Sequence, residues 1–149
     1  IMSKLLIKEK YLTTGDVLCC FETNIFKLLY NLMTGKECIK FYFVISNNLI
    51  ISINKHKIDV KTIENIKRNY KYILVKRLNK YIYKKEFLKI VHKLLVINLK
   101  EIKLDTSFKF VHYILHNACV IDDYNVLKNI NFRLFLKDRI NFSTYKLIL

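Results

Sequence analysis

The sequence predicts a single domain of the α+β class, because strand-like and helical patterns follow one another along its 149 residues. The strand-like runs are rich in β-branched and aromatic residues, at 17–21, 39–45, 49–53 and 70–75. Apolar residues recur at helical spacing, most clearly over 25–32 and 108–119. A hydrophobic fraction of 52% is enough for one core and excludes a disordered chain.

The first predicted elements are a strand and a helix. Gly15 marks a turn before the strand at 17–21. Thr23 is suited to cap a helix whose apolar positions over 25–32 repeat at i, i+3, i+4 and i+7. Gly35 stands where the C-terminal end of such a helix is expected.

A β-hairpin is predicted next. The runs 39–45 and 49–53 are joined by Ser46, Asn47 and Asn48, and asparagines tolerate the positive φ values of a tight turn. Residues 57–69 are predicted to be a polar connector with one helical turn. Residues 70–75 are again typical of a strand.

The second half contains one segment whose pattern permits two structures. Periodicity over 87–97 predicts a helix, but its β-branched residues also allow a strand. Asp105 or Thr106 can cap a helix over 108–119, and a turn is expected at 122–125. The alternation over 131–136 predicts a final strand.

The charge points to a polyanionic partner. Twenty-seven lysines and arginines against twelve acidic residues give a formal charge of +15, which favours nucleic acid and opposes self-association. Arginine is rare, so phosphate neutralisation is better supplied than bidentate reading of base edges. A face of solvated lysines without a partner would explain the same charge. We therefore expect nucleic acid as the partner and no homo-oligomer. The sequence has no apolar run of ~18 residues, so we also expect no membrane span.

Composition also suggests a genome of origin. Proline is absent, glycine occurs twice, and lysine, asparagine and isoleucine are abundant, as in AT-rich genomes. An isoleucine in the first position would suit an alternative start codon of an organelle genome, and a tag remnant or truncation would explain it equally well. We expect an organelle-encoded chain in a reducing compartment, with Cys19, Cys20, Cys38 and Cys119 as free thiols.

Residues 71–97 read KYILVKRLNKYIYKKEFLKIVHKLLVI. This stretch resembles the central part of the universal small-subunit ribosomal protein ten, the S-ten family. Three features carry the resemblance: Lys71-Tyr72 before an apolar run, Lys84-Lys85-Glu86 before Phe87, and His92-Lys93 five residues after that phenylalanine. A weaker resemblance extends over 17–137. The family's proline-rich segment is missing, and several of its arginines are replaced.

The resemblance implies a ferredoxin-like βαββαβ sandwich, with a four-stranded antiparallel sheet and two helices on one face. Residues 87–97 would then be a strand. Residues 38–57 would be an inserted hairpin, and 1–14 and 138–149 would be terminal extensions.

The resemblance further implies a structural protein of an organellar, mitochondrial ribosome that binds small-subunit rRNA and neighbouring head proteins. A long basic loop between strands would contact the RNA, with lysines and arginine at phosphates and tyrosines stacking on bases. The expected rRNA-binding residues are Lys76, Arg77, Lys80, Tyr81, Tyr83, Lys84, Lys85, Lys89 and Lys93.

Catalysis and cofactors are not expected. Phosphate-binding glycine motifs, a GxSxG elbow and an HExxH motif are all missing. His112, His116 and Cys119 share helical spacing, but a fourth metal ligand cannot be named. A nuclease would require scattered aspartates, such as Asp59, Asp105, Asp122, Asp123 and Asp138, to converge. The sequence is also compatible with a basic accessory subunit of an organellar membrane complex and with a virus-encoded protein-interaction module.

Overall fold

A computed structural model of the chain describes residues 5–119 and 132–149, except for the side chains of residue 119 and residues 132–134. The α+β class is confirmed. Over the described residues the strands are β1 Leu5–Ile7, β2 Val17–Phe21, β3 Ile39–Val44, β4 Leu49–Asn54, β5 Lys57–Thr62, β6 Tyr72–Leu78 and β7 Phe142–Leu147. The helices are α1 Ile25–Thr34, α2 Ile63–Asn69, α3 Lys84–Val96, α4 Ser107–Cys119 and α5 Phe132–Lys137, with a short 3-10 turn at Glu9–Tyr11.

All seven strands form one mixed sheet in the order β1-β7-β6-β2-β3-β4-β5. The strands pair antiparallel except at one edge, where β1 runs parallel to β7. The centre is β2, whose five residues pair with β3 on one side and β6 on the other. Both terminal segments, expected to be extensions, therefore contribute a strand to the sheet.

The sheet is covered on both faces, which explains why the apolar runs of its central strands are continuous. Val17 and Cys19 face a cluster that includes α3, α4 and α5. Leu18 and Cys20 face a second cluster that includes α2. Alternate residues of β2 thus enter different cores.

The four-stranded ferredoxin-like order is not confirmed. In that topology a further strand separates the two strands that the first helix joins. Here α1 joins β2 and β3, which are direct antiparallel neighbours. The hairpin of β3 and β4, expected as an insertion, begins with β3, which pairs directly with the central strand β2.

The segment over 87–97 is a helix, and the strand implied by the resemblance is wrong. Phe87, Val91 and Leu94 are the buried residues of α3, and their spacing is that of one helix face. The cationic residues of the segment lie on the opposite, exposed face. A strand would turn alternate residues inward and bury part of this charge.

Two other predictions are corrected. Residues 57–69, predicted to be a polar connector with one helical turn, form strand β5 and helix α2. Ile63 and Ile66 of α2 are buried against the sheet, which stabilises the helix. The final strand predicted over 131–136 is wrong within the described residues: from residue 132 the structure has helix α5, with Phe135 buried in the first core. The final strand lies later, at β7. The turn predicted at 122–125 falls outside the described residues.

Within the described ranges, no helix is long enough and apolar enough to span a bilayer.

Candidate nucleic-acid interface

The exposed side of α3 carries a row of lysines. Lys85, Lys89 and Lys93 are four residues apart, so their side chains are neighbours on one helix face, and all three are exposed. Like charges at this spacing repel one another and destabilise a helix slightly. A bound polyanion would relieve this repulsion.

Among the described residues, few acidic groups offset this row. Glu86 lies 3.7 Å from the ammonium of Lys89, but the Lys89 side chain is 67% exposed and the Glu86 side chain 41% exposed, and such a pair contributes little. His92 is also exposed between the lysines. The face therefore keeps an excess of positive charge.

The loop before α3 continues this face with aromatic residues. The rings of Tyr81 and Tyr83 meet edge to face with 5.2 Å between centroids, although 79% and 62% of these residues are exposed. The ammonium of Lys85 lies 5.8 Å from the Tyr83 ring centroid, and Lys80 and Lys84 are exposed beside them. We call these seven residues the basic surface: Lys80, Tyr81, Tyr83, Lys84, Lys85, Lys89 and Lys93.

A cleft of about 560 Å3 lies beside the loop. Its walls include Thr13 and Thr14 from the turn before β2, and Lys80, Tyr81 and Lys84 from the basic surface. Cations, hydroxyl groups and an aromatic ring are groups that can contact a phosphate, a ribose and a base. The threonines were missed in the sequence because they lie more than 60 positions from the loop.

Lys76 does not belong to the basic surface, which corrects its assignment as an RNA contact. It is fully buried on β6, on the same sheet face as Leu74. Its ammonium donates hydrogen bonds to the Leu136 carbonyl at 3.1 Å, the Asp138 carbonyl at 2.7 Å and the Thr144 hydroxyl at 2.9 Å. This lysine joins β6 to α5, to Asp138 just after it and to β7.

Arg77 is also held within the fold. Its guanidinium donates to both carboxylate oxygens of buried Asp16, at 2.9 and 2.8 Å, and to the Tyr11 carbonyl at 2.8 Å. The hydrogen bond to Asp16 raises the pKa of Arg77, although burial opposes the shift. Its predicted contact with RNA would have to replace this bidentate pair, so the structure favours a structural role.

The described residues include no cluster of three or more histidine, cysteine or acidic side chains that could hold a metal ion. His112 and His116 stack on α4 with 5.9 Å between ring centroids. Asp105 pairs with Lys109, which lowers the pKa of Asp105, and Asp138 accepts hydrogen bonds from Asn141. Asp122, Asp123 and the side chain of Cys119 lie outside the described part.

Among the cysteines whose side chains are described, Cys20 and Cys38 are free thiols, as predicted. Burial raises the pKa of Cys20, which makes it a poor nucleophile.

Comparisons of the chain with protein-family models, with curated proteins and with solved structures find no match. The residues themselves define the class of protein, which is an α+β domain with a basic helix face flanked by two exposed tyrosines.

Proposed function

We propose that the protein is a structural, rRNA-binding component of the small subunit of a mitochondrial ribosome, located in the matrix and without catalytic activity. The observation that carries the proposal is the basic surface, where lysines of α3 line up with two exposed tyrosines. The net charge of +15 adds long-range attraction to polyanions.

The chemistry of the surface favours backbone and shape recognition of RNA. Its cations are all lysines, which act as point charges on phosphates and do not read base edges in bidentate fashion. Tyrosine rings can stack on unpaired bases of any identity. An RNA loop that follows α3 and places a base near Tyr81 would use both groups.

The resemblance to the S-ten family supports the ribosomal part of the proposal. Its most specific positions, Lys84, Lys85 and Lys93 among them, are exposed on α3 and available to a partner. The ferredoxin-like topology is not among the supports. Neighbouring head proteins remain proposed partners on the strength of the resemblance alone.

The test is a binding titration with small-subunit rRNA at several salt concentrations. The variant Lys80→Ala/Lys84→Ala/Lys85→Ala should bind more weakly, and its log–log salt slope should fall by about 2, as expected for three lost phosphate contacts on single-stranded RNA. Its melting temperature should stay near that of the wild type, because all three side chains are exposed.

The matched control removes the same charge elsewhere, with Lys8→Ala/Lys36→Ala/Lys57→Ala at three other exposed lysines. The control should keep most of the affinity and nearly all of the slope. Equal losses in both variants would mean that binding is non-specific attraction and would overturn the assignment of the surface, and little affinity of the wild type for RNA would favour a basic accessory subunit.

A further inference from the structure

Helix α1 presents a broad apolar face to solvent. None of its ten residues is buried, and Phe26 and Met33 are 80% and 86% exposed. Positions at 100° per residue place the exposed apolar side chains on one continuous arc. These are Ile25, Phe26, Leu29, Tyr30, Leu32 and Met33.

The helix is nevertheless built and anchored in a defined way. The Asn24 side chain, and not the expected Thr23, caps it by accepting hydrogen bonds from the backbone N–H groups of Phe26 and Lys27. Gly35 ends it with a φ of 73°, and the Asn31 amide donates to the Glu37 carbonyl at 3.2 Å. The half-buried residues, Leu28 and Asn31, lie off the apolar arc or at its edge. The exposed face is therefore held in place by the fold.

Three kinds of occupant fit this face poorly. RNA would gain little from this face as a whole, because four of its six apolar side chains neither neutralise phosphates nor offer a ring for stacking, and only Phe26 and Tyr30 carry rings. A second copy would bring another +15 charges to the interface. Helices that lie on membranes have a strongly charged polar face, whereas the polar arc of α1 carries only Lys27, Asn31 and Thr34.

Positive charge lies beside the N-terminal end of α1. Lys27, Arg68 and Lys71 line one small cleft of about 260 Å3 next to α1. Glu22, the acidic residue of that cleft, already accepts a hydrogen bond from the Asn24 backbone at 3.0 Å. A complementary partner would therefore be apolar where it meets α1 and acidic beside it.

We propose that α1 docks into an apolar groove with a carboxylate-rich rim on a protein partner. The helix would supply Phe26, Leu29 and Met33 as apolar anchors, and Lys27 and Lys71 would pair with the rim. This site is separate from the basic surface and does not depend on RNA binding.

The test is photo-crosslinking of the full-length chain in a lysate of the cells that express it. A benzophenone amino acid replaces Phe26, or Tyr11 as an exposed aromatic control position outside α1. We expect an adduct with one protein at position 26 only. Peptide sequencing should place the crosslink among apolar residues with aspartate or glutamate close by.

Two variants make the result specific. Leu29→Glu should abolish the adduct without changing the melting temperature, since Leu29 is exposed. Lys27→Glu/Lys71→Glu should reduce it about three- to tenfold, as expected for two exposed ion pairs. Both variants should keep the rRNA salt slope of the wild type, apart from the general effect of their lower net charge. The docking of α1 can therefore fail as a proposal while the ribosomal one holds, and the reverse.

Four outcomes would overturn the proposal. They are an adduct with a second copy of the chain, equal adducts at positions 11 and 26, an adduct insensitive to both variants, and Leu29-dependent flotation with phosphatidylcholine–phosphatidylserine vesicles. The last outcome would assign α1 to a membrane surface.

Discussion

Replacing Lys76, the buried lysine on β6, tests whether this cation stabilises the fold or contacts RNA. In Lys76→Met the side chain keeps a similar length but loses its donors. Two backbone carbonyls and the Thr144 hydroxyl then lose the ammonium that they share. At about 1 kcal/mol for each hydrogen bond, the loss is about 3 kcal/mol.

The burial cost of the ammonium is also removed, but its partners remain without their donor, so the net change stays destabilising. We expect unfolding to be easier by about 2–3 kcal/mol, or a melting temperature lower by about 5–10 °C.

Circular dichroism melts and rRNA titrations on the same samples check this prediction. Below the transition, the variant should bind rRNA about as tightly as the wild type, because Lys76 has no exposed surface. An unchanged melting temperature together with weakened RNA binding would refute the reasoning and return Lys76 to the interface.

Three further predictions concern the fold. Gly15→Ala should destabilise the protein by about 2 kcal/mol or more in urea unfolding, because Gly15 has a φ of 98° and an added Cβ would lie 2.6 Å from the buried Phe87 ring; wild-type stability would contradict this packing. Burial raises the pKa of Tyr70 to about 12, so folding favours the protonated phenol. Tyr70 therefore contributes to the free energy of unfolding below pH ~10, and this contribution should be lost as the pH rises through 12. A Tyr70→Phe variant that loses stability equally steeply at alkaline pH would contradict this prediction. Mass-spectrometric mapping after brief thiol labelling should find Cys38 modified before buried Cys20; early labelling of Cys20 would show that the sheet opens there.

Local sequence patterns were sufficient where one element has one clear signal. Strand β2, helix α1, the β3–β4 hairpin and helix α4 were predicted because composition or helical periodicity is strong in each. In α3 the periodicity was also the correct guide. The resemblance implies a strand there, so a similarity of motifs pointed to the wrong structure where the helical periodicity pointed to the right one.

The elements that were missed depend on distant partners. Strand β5 is a polar edge strand that pairs only with β4, and its lysines suggested a connector. Helix α5 shows alternation over a few residues, but burial of Phe135 among the rings of Phe41, Phe108 and Phe142 depends on tertiary packing.

The candidate site could be predicted only in part, because the roles of some of its residues also depend on distant partners. The resemblance places the lysines and tyrosines on a long loop between two strands, whereas the structure has a short loop at 79–83 followed by helix α3. Lys76 was misassigned, although its position two residues after Leu74 places both on one face of β6. The bond from Arg77 to Asp16 spans 61 positions and has no local signal.

The central claim, that the basic surface binds small-subunit rRNA, is tested most directly by sucrose-gradient sedimentation of organelle lysate. Wild-type chain and the Lys80→Ala/Lys84→Ala/Lys85→Ala variant are run in parallel at moderate salt and probed alongside the rRNA. We predict that the wild type co-migrates with the small subunit and that the variant shifts toward the top. Wild-type chain at the top of the gradient or with a membrane complex, or a variant that co-migrates as fully as the wild type, would contradict the account.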